Sequence, residues 1–169
     1  NIADENYLGT AAAILRNGIE SEDRTGTGTI RLFGCSAAYD CQEYFPLLTS
    51  KRIFWRGVVE ELLWFLRGET NSHVLEEKGV NIWRAFANEY GATGPIYSTQ
   101  WRRWPSITGG YIDQLANVIN ELRVNPFTRR AVVSAWNPDY LPDPSLTPSQ
   151  NASVMVSAKG RVSSQDSTH

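Results

Sequence analysis

The sequence predicts a layered fold of helices and strands, on three observations. The opening residues carry an apolar helical face that needs a sheet to pack on. Residues 29–33 alternate at the period of a half-buried strand, and residues 55–67 are apolar around most of a helix, as in a helix buried between layers.

In chain order, Tyr7, Leu8, Ala11, Ala12, Ile14 and Leu15 recur at three- and four-residue steps, with Asp4 placed as N-cap and Gly18 as stop. After a charged turn, Ile30 and Leu32 alternate with Thr29 and Arg31, and residues 36–39 continue or pair with that strand. Pro46 marks an irregular segment ending at Lys51 and Arg52. The helix over 55–67, stopped by Gly68, places Glu60 and Glu61 among Val58, Val59, Leu62, Leu63, Trp64, Phe65 and Leu66. Helices are expected over 72–78 and 82–90, closed by Gly79 and Gly91, with a loop at Gly94 and Pro95. Ile112, Leu115, Ala116, Ile119 and Leu122 mark a further helix ending near Asn125. Residues 131–135 read as a buried strand, the prolines between Pro138 and Pro148 as an extended connection, and 153–157 with 161–165 as a hairpin.

Composition sets the class. With 169 residues, 16 basic against 18 acidic, 41% hydrophobic and 20% charged, the chain is an ordinary globular domain rather than a disordered or fibrous one. No apolar run reaches the roughly 18 residues of a membrane span, and no secretory leader is visible, so a single cytoplasmic domain is expected. Cys35 and Cys41 form no metal motif, and His73 and His169 are the only histidines, which argues against a metal site. A net charge of −2 argues against a surface-wide field for nucleic acid but allows a local cationic pocket.

Several residues admit two readings. Arg24-Thr25-Gly26-Thr27-Gly28-Thr29 sets a guanidinium beside glycines and hydroxyls, either a phosphate cradle or a glycine-rich turn; it lacks the Gly-Lys-Ser/Thr of a Walker loop. Arg129 and Arg130 are an anion clamp or a solvated strand end, and strand alternation lets both reach one phosphate only from an irregular start or a partner subunit. Glu61, in so apolar a helix, is a candidate for proton transfer or for pairing with an arginine. Trp83, Tyr97, Trp101 and Trp104 either stack on a planar ring or fill the core. Asn151-Ala152-Ser153 fits the glycosylation pattern, a match expected to be chance with no secretory leader visible.

The ordered series Arg24-Thr25-Gly26-Thr27-Gly28-Thr29, Phe45-Pro46-Leu47-Leu48-Thr49, Glu61-Leu62-Leu63-Trp64-Phe65, Gly94-Pro95-Ile96-Tyr97, Gln100-Trp101-Arg102, Ile112-Asp113-Gln114, Arg129-Arg130 and Ser134-Ala135-Trp136-Asn137 resembles thymidylate synthase. The resemblance implies an α+β fold with a large mixed sheet flanked by helices, in a homodimer whose sites borrow arginines from the other subunit. It implies methylation of dUMP to dTMP, with carbon and hydride both taken from 5,10-methylenetetrahydrofolate. By motif position Arg24, with Arg129 and Arg130 across the dimer, would hold the phosphate, Glu61 would organise proton transfers through water, and Tyr97 would line the reacting centre. Ile82 and Trp83 would pack on the folate, and Lys51 would lie near its acidic tail.

The departures matter equally. The family's nucleophile is a cysteine in Leu-x-Pro-Cys-His, and the corresponding run is Leu146-Thr147-Pro148-Ser149-Gln150. Ser149 is a weak nucleophile without an activating base, and Gln150 cannot be one. The resemblance implies aromatic-rich strands where residues 151–169 are more polar, an arginine at the place of His169, and a further C-terminal portion that this sequence is expected to lack. A shortened sequence, an introduced replacement, and a relative that has lost catalysis all account for this. The rivals to methylation are pyrimidine nucleotide hydroxymethylation, a non-catalytic nucleotide- or RNA-binding module, and a fragment without function.

Overall fold

A computed structural model describes residues 1–23 and 26–165, with side chains through Ser157. The chain forms two compact units, Asn1–Phe54 and Trp55–His169.

In the first unit, α1 (Ile2–Asn17) is followed by β1 (Ile19–Ser21) and β2 (Thr29–Arg31), which pair antiparallel with Ile19 opposite Arg31. The N-cap is Asn1, whose side-chain oxygen accepts from the amides of Ala3 and Asp4, rather than Asp4. Asp4 is spent elsewhere: its carboxylate accepts from the amides of Thr49 and Ser50. Gly18 ends the helix as expected, and the position requires glycine, since a Cβ there would lie 2.5 Å from both the Ile14 carbonyl oxygen and a methyl of Ile30. β2 is exposed along its length, against the half-buried strand expected over 29–33, although Leu32 just beyond it is partly buried, and residues 36–39 form no strand.

The second unit is built on α2 (Trp55–Leu66), α3 (His73–Glu76), α4 (Tyr97–Arg102), α5 (Gln114–Val124) and α6 (Pro148–Gln165). A short antiparallel ladder joins β3 (Trp104–Pro105) to β4 (Tyr111–Ile112). α2 closes with paired reverse bonds: Gly68 N–H donates to the Phe65 carbonyl and Glu69 N–H to that of Trp64, with Gly68 at φ 72°. The core gathers Trp64, Phe65, Leu75 and Val80, against which Val74, Trp83, Ile96 and Trp101 pack. Trp64 is wholly buried, with its indole N–H donated to the Asn71 carbonyl at 3.1 Å.

α2 is not buried all round. Val58 and Leu62, one turn apart, are each about half exposed, because the core residues gather on the Trp64 and Phe65 side. Residues 82–90 form only a 3-10 turn at Arg84–Phe86, since the Asn88 side chain accepts from the amides of Tyr90 and Ala92 and closes a turn instead. Residues 131–135 are not a strand. The side chain of Gln114 takes the backbone of Ser134, accepting from its N–H and donating to its carbonyl at 2.9 Å each, where a neighbouring strand would pair.

The expected hairpin over 153–165 is helix α6. Its start explains why: Thr147 Oγ1 accepts from the Gln150 amide at 3.3 Å while Gln150 Oε1 accepts from the Thr147 amide at 2.8 Å, a reciprocal capping box. Pro148 takes the first helical position. With those strands lost, the large mixed sheet does not form among the described residues; their sheets are two antiparallel pairs within a mixed helix-and-strand fold. No helix among them is long and apolar enough to cross a membrane.

Candidate active site

The second unit carries an open cavity of about 610 Å³, a size typical of small-molecule sites. α2 contributes Glu61, the segment after α3 contributes Ile82, Trp83 and Phe86, and the first residue of α4 is Tyr97. Residues 135–142 add Trp136, Asn137 and Tyr140, and α6 adds Ala152 and Met155.

Glu61 and Glu60 part company because neighbouring helical residues point about 100° apart. Glu60 pairs with Lys78, whereas Glu61 faces the cavity and its Oε1 accepts from the Trp83 indole N–H at 2.8 Å. The donor is itself fixed, since the Trp83 ring lies 5.7 Å from Trp64, 5.8 Å from Phe65 and 6.1 Å from Tyr97. An aromatic cage therefore aims one carboxylate.

The polar floor is satisfied internally. Gln100, almost fully buried, donates to the Pro95 carbonyl at 3.2 Å and accepts from the Asn137 amide at 3.1 Å. Asn151 donates to the Asp143 carbonyl and accepts from the Asp143 amide, fixing the loop before α6. Burial, with the Asp139 charge and Tyr111 nearby, pushes the Tyr140 phenol above its ordinary value. No lysine or arginine lines the cavity among the described residues. Aromatic walls, one oriented carboxylate and two phenols suit a planar, hydrogen-bonding ring.

Among known protein families, thymidylate synthase matches the chain over residues 5–166. The chain belongs to the thymidylate synthase family.

Of the residues that the thymidylate synthase resemblance singled out, the cavity brings together Glu61, Ile82, Trp83 and Tyr97. Arg129 and Arg130 are exposed and do not line it; Arg130 borders a separate hollow with Trp104, Gln114 and Glu121. Ser149 stands on the first turn of α6 between Pro148 and Asn151, which do line the cavity. Its hydroxyl takes no hydrogen bond among the described residues, and Gln150 is occupied by the cap. Lys51 belongs to the first unit, where its ammonium donates to the Tyr7 hydroxyl at 3.4 Å and sits 4.7 Å from the ring centre. Arg24 lies outside the described residues, as does His169. Beside Arg24, the amides of Thr27 and Gly28 converge on Asp23 Oδ1 at 3.2 and 3.3 Å, so this part of the glycine-rich segment is a turn built around an anionic oxygen.

Sequence reasoning missed Gln100, Tyr140, Asn151 and Met155. A signal existed for α6, since Thr147-x-x-Gln150 with Pro148 between them is a capping pattern. Nothing local marks Met155, which reaches the cavity only because a helix replaces the hairpin.

Proposed function

We propose that this chain binds dUMP and 5,10-methylenetetrahydrofolate as a homodimer, in a single catalytic domain built for reductive methylation to dTMP. The observation that carries the reading is Glu61, oriented by the Trp83 indole in an aromatic cavity of the second unit. In the reaction, a methylene carbon from the folate bonds to C5 of the pyrimidine and C5 gives up its proton. The bond from that carbon to the folate nitrogen then breaks, and the released tetrahydrofolate gives a hydride to the exocyclic methylene, ending as dihydrofolate. With Oε1 held by Trp83, Glu61 has Oε2 for an ordered water that carries those protons. Tyr97 donates at the ring, and Ile82 and Trp83 offer the flat apolar wall against which a pterin packs.

Among the described residues no cation lines the cavity, so a phosphate dianion there calls for charge from elsewhere. Arg24 of the same chain, with Arg129 and Arg130 of a second copy, would supply the charge; the exposure of the latter pair supports this assignment. Lys51 would meet the acidic tail of the folate.

Attack on C6 is the weak step, because the Ser149 hydroxyl has no base beside it among the described residues. Calorimetric titration with dUMP tests the pocket: saturable binding by the folded protein is expected, and its absence would remove the assignment. Ser149→Cys should then raise label transfer from methylenetetrahydrofolate well above that of the parent chain, with product mass separating methylation from hydroxymethylation. The occupied Gln150 and unassisted Ser149 favour one second reading, a nucleotide-binding relative without turnover. Binding with no gain from Ser149→Cys would support it, and loss of RNA affinity on raising salt would mark RNA as its ligand.

A further inference from the structure

Asn137 keeps one amide proton that the fold does not use. The residue lines the cavity and is 8% exposed; its Nδ2 donates to Gln100 Oε1 at 3.1 Å and its Oδ1 accepts from the Asp139 amide at 3.1 Å. An amide nitrogen carries two protons, and the second has no acceptor among the described residues. Asn151, equally buried on the same cavity, differs: its nitrogen serves the carbonyls of Asp143, Leu146 and Thr147. Gln100 Nε2 also has a second proton, but that side chain is 1% exposed, which leaves Asn137 as the amide with surface to meet a ligand.

An isolated asparagine adapts to its ligand, because a half-turn of the amide exchanges donor for acceptor. Asn137 is denied that freedom. A chain of bonds runs from the Asp139 N–H through Asn137 and Gln100 to the Pro95 carbonyl, and its two ends are a group that only donates and a group that only accepts. Turning either amide sets oxygen against oxygen and nitrogen against nitrogen; turning both restores the middle bond and breaks the two at the ends. The other polar groups of the wall are committed or reversible: the Thr93 hydroxyl donates to the Thr70 carbonyl and the Trp83 indole to Glu61, while the phenols of Tyr97 and Tyr140 can donate or accept. We propose that Asn137 determines which ring the cavity takes: its unused N–H donates to a ring carbonyl oxygen, so the site accepts a lactam edge and rejects the same ring carrying an amino group there. The proposal deepens the nucleotide-and-folate reading and rests on it, since a uracil and a pterin each present such a carbonyl. An amino group would point hydrogen at hydrogen and leave a nearly buried donor unpaired, a penalty that falls on the amino ligand alone. Gln100 is the positioning residue, because it acts by holding Asn137 in one orientation.

The test compares ligands that differ at one ring position, oxygen against amino group, with the neighbouring ring nitrogen changed to match: dUMP with dCMP for the pyrimidine, and folic acid with its amino-for-oxo analogue for the pterin. Each is titrated calorimetrically into the parent chain, Asn137→Ala, Gln100→Met and the double variant. The parent should prefer the oxo member, and Asn137→Ala should cut that preference about tenfold in one pair, the size of one hydrogen bond; the pair affected names the ring. Gln100→Met, which lets the amide turn, should cut the same preference by a smaller factor, and the double variant should match Asn137→Ala because both act through one N–H. General damage to the fold weakens both members of a pair alike and leaves their ratio where it was. Should Asn137→Ala fail to fold, the parent with isotope-labelled asparagine serves instead: one side-chain proton of Asn137 should move downfield in the NMR spectrum on adding the oxo ligand and stay in place with the amino one. An unchanged ratio in both pairs, or an unmoved proton, overturns the role of Asn137 and leaves dUMP and folate binding standing. A folded parent that binds neither dUMP nor folic acid removes the functional reading and this one with it. A tenfold loss in Asn137→Ala beside a silent Gln100→Met overturns the positioning role of Gln100 alone.

Discussion

Lys78 takes Glu60 and Trp83 takes Glu61, and that division decides which of two adjacent carboxylates serves the cavity. The apolar helix around them marks the pair in the sequence. The choice between them needs an indole 22 residues away, which no local pattern reports. Trp83→Phe keeps a ring in the cage and removes only the donor. In a Ser149→Cys background it should lower turnover about ten- to a hundredfold, as expected for one lost hydrogen bond to a charged group, with dUMP affinity nearly unchanged by calorimetry. Asp143 offers a separate residue-level test. Its carboxylate accepts from the Ser145 hydroxyl and amide, which hold its pKa below the ordinary value. A depressed folded-state pKa contributes stability above the unfolded aspartate value of about 3.9 and loses it as pH falls through the folded value. Ser145→Ala should therefore move the Asp143 titration upward in a carboxyl-carbon NMR experiment, toward the unfolded value.

Helices α1, α2 and α5 lie close to where periodicity and stop signals put them, because each carries its signal within its own residues. The segments that defied expectation depend on partners. Residues 131–135 have the composition of a strand, but Gln114 meets the Ser134 backbone with a side chain, so no ladder forms. The last stretch of sequence has weak preferences of its own, and the capping box at Thr147 and Gln150 settles it as a helix. That cap makes a measurable demand on anyone rebuilding the family's Cys-His pair. Gln150→His should lower the stability of α6 by about 1 kcal/mol, seen as a lower melting temperature, whereas Ser149→Cys, outside the cap, should leave it unchanged.

For the molecule as a whole, the family match runs through both compact units, while the described residues that line the cavity belong to the second. Periodicity could not foresee this division, since hydrophobic patterns report which faces are buried and not which elements meet. The proposed sharing of arginines has a direct test. Mixing a Glu61→Gln chain with an Arg129→Ala, Arg130→Ala chain, each nearly inactive in a Ser149→Cys background, should restore activity, because each mixed dimer then contains one site with both its glutamate and its arginines intact. Neither parent population alone should show it. Because no cation lines the pocket among the described residues and two of the proposed arginines come from a second copy, nucleotide affinity becomes a function of how much protein is in the tube: dilution should loosen the ligand, and the ligand should hold the two copies together in return.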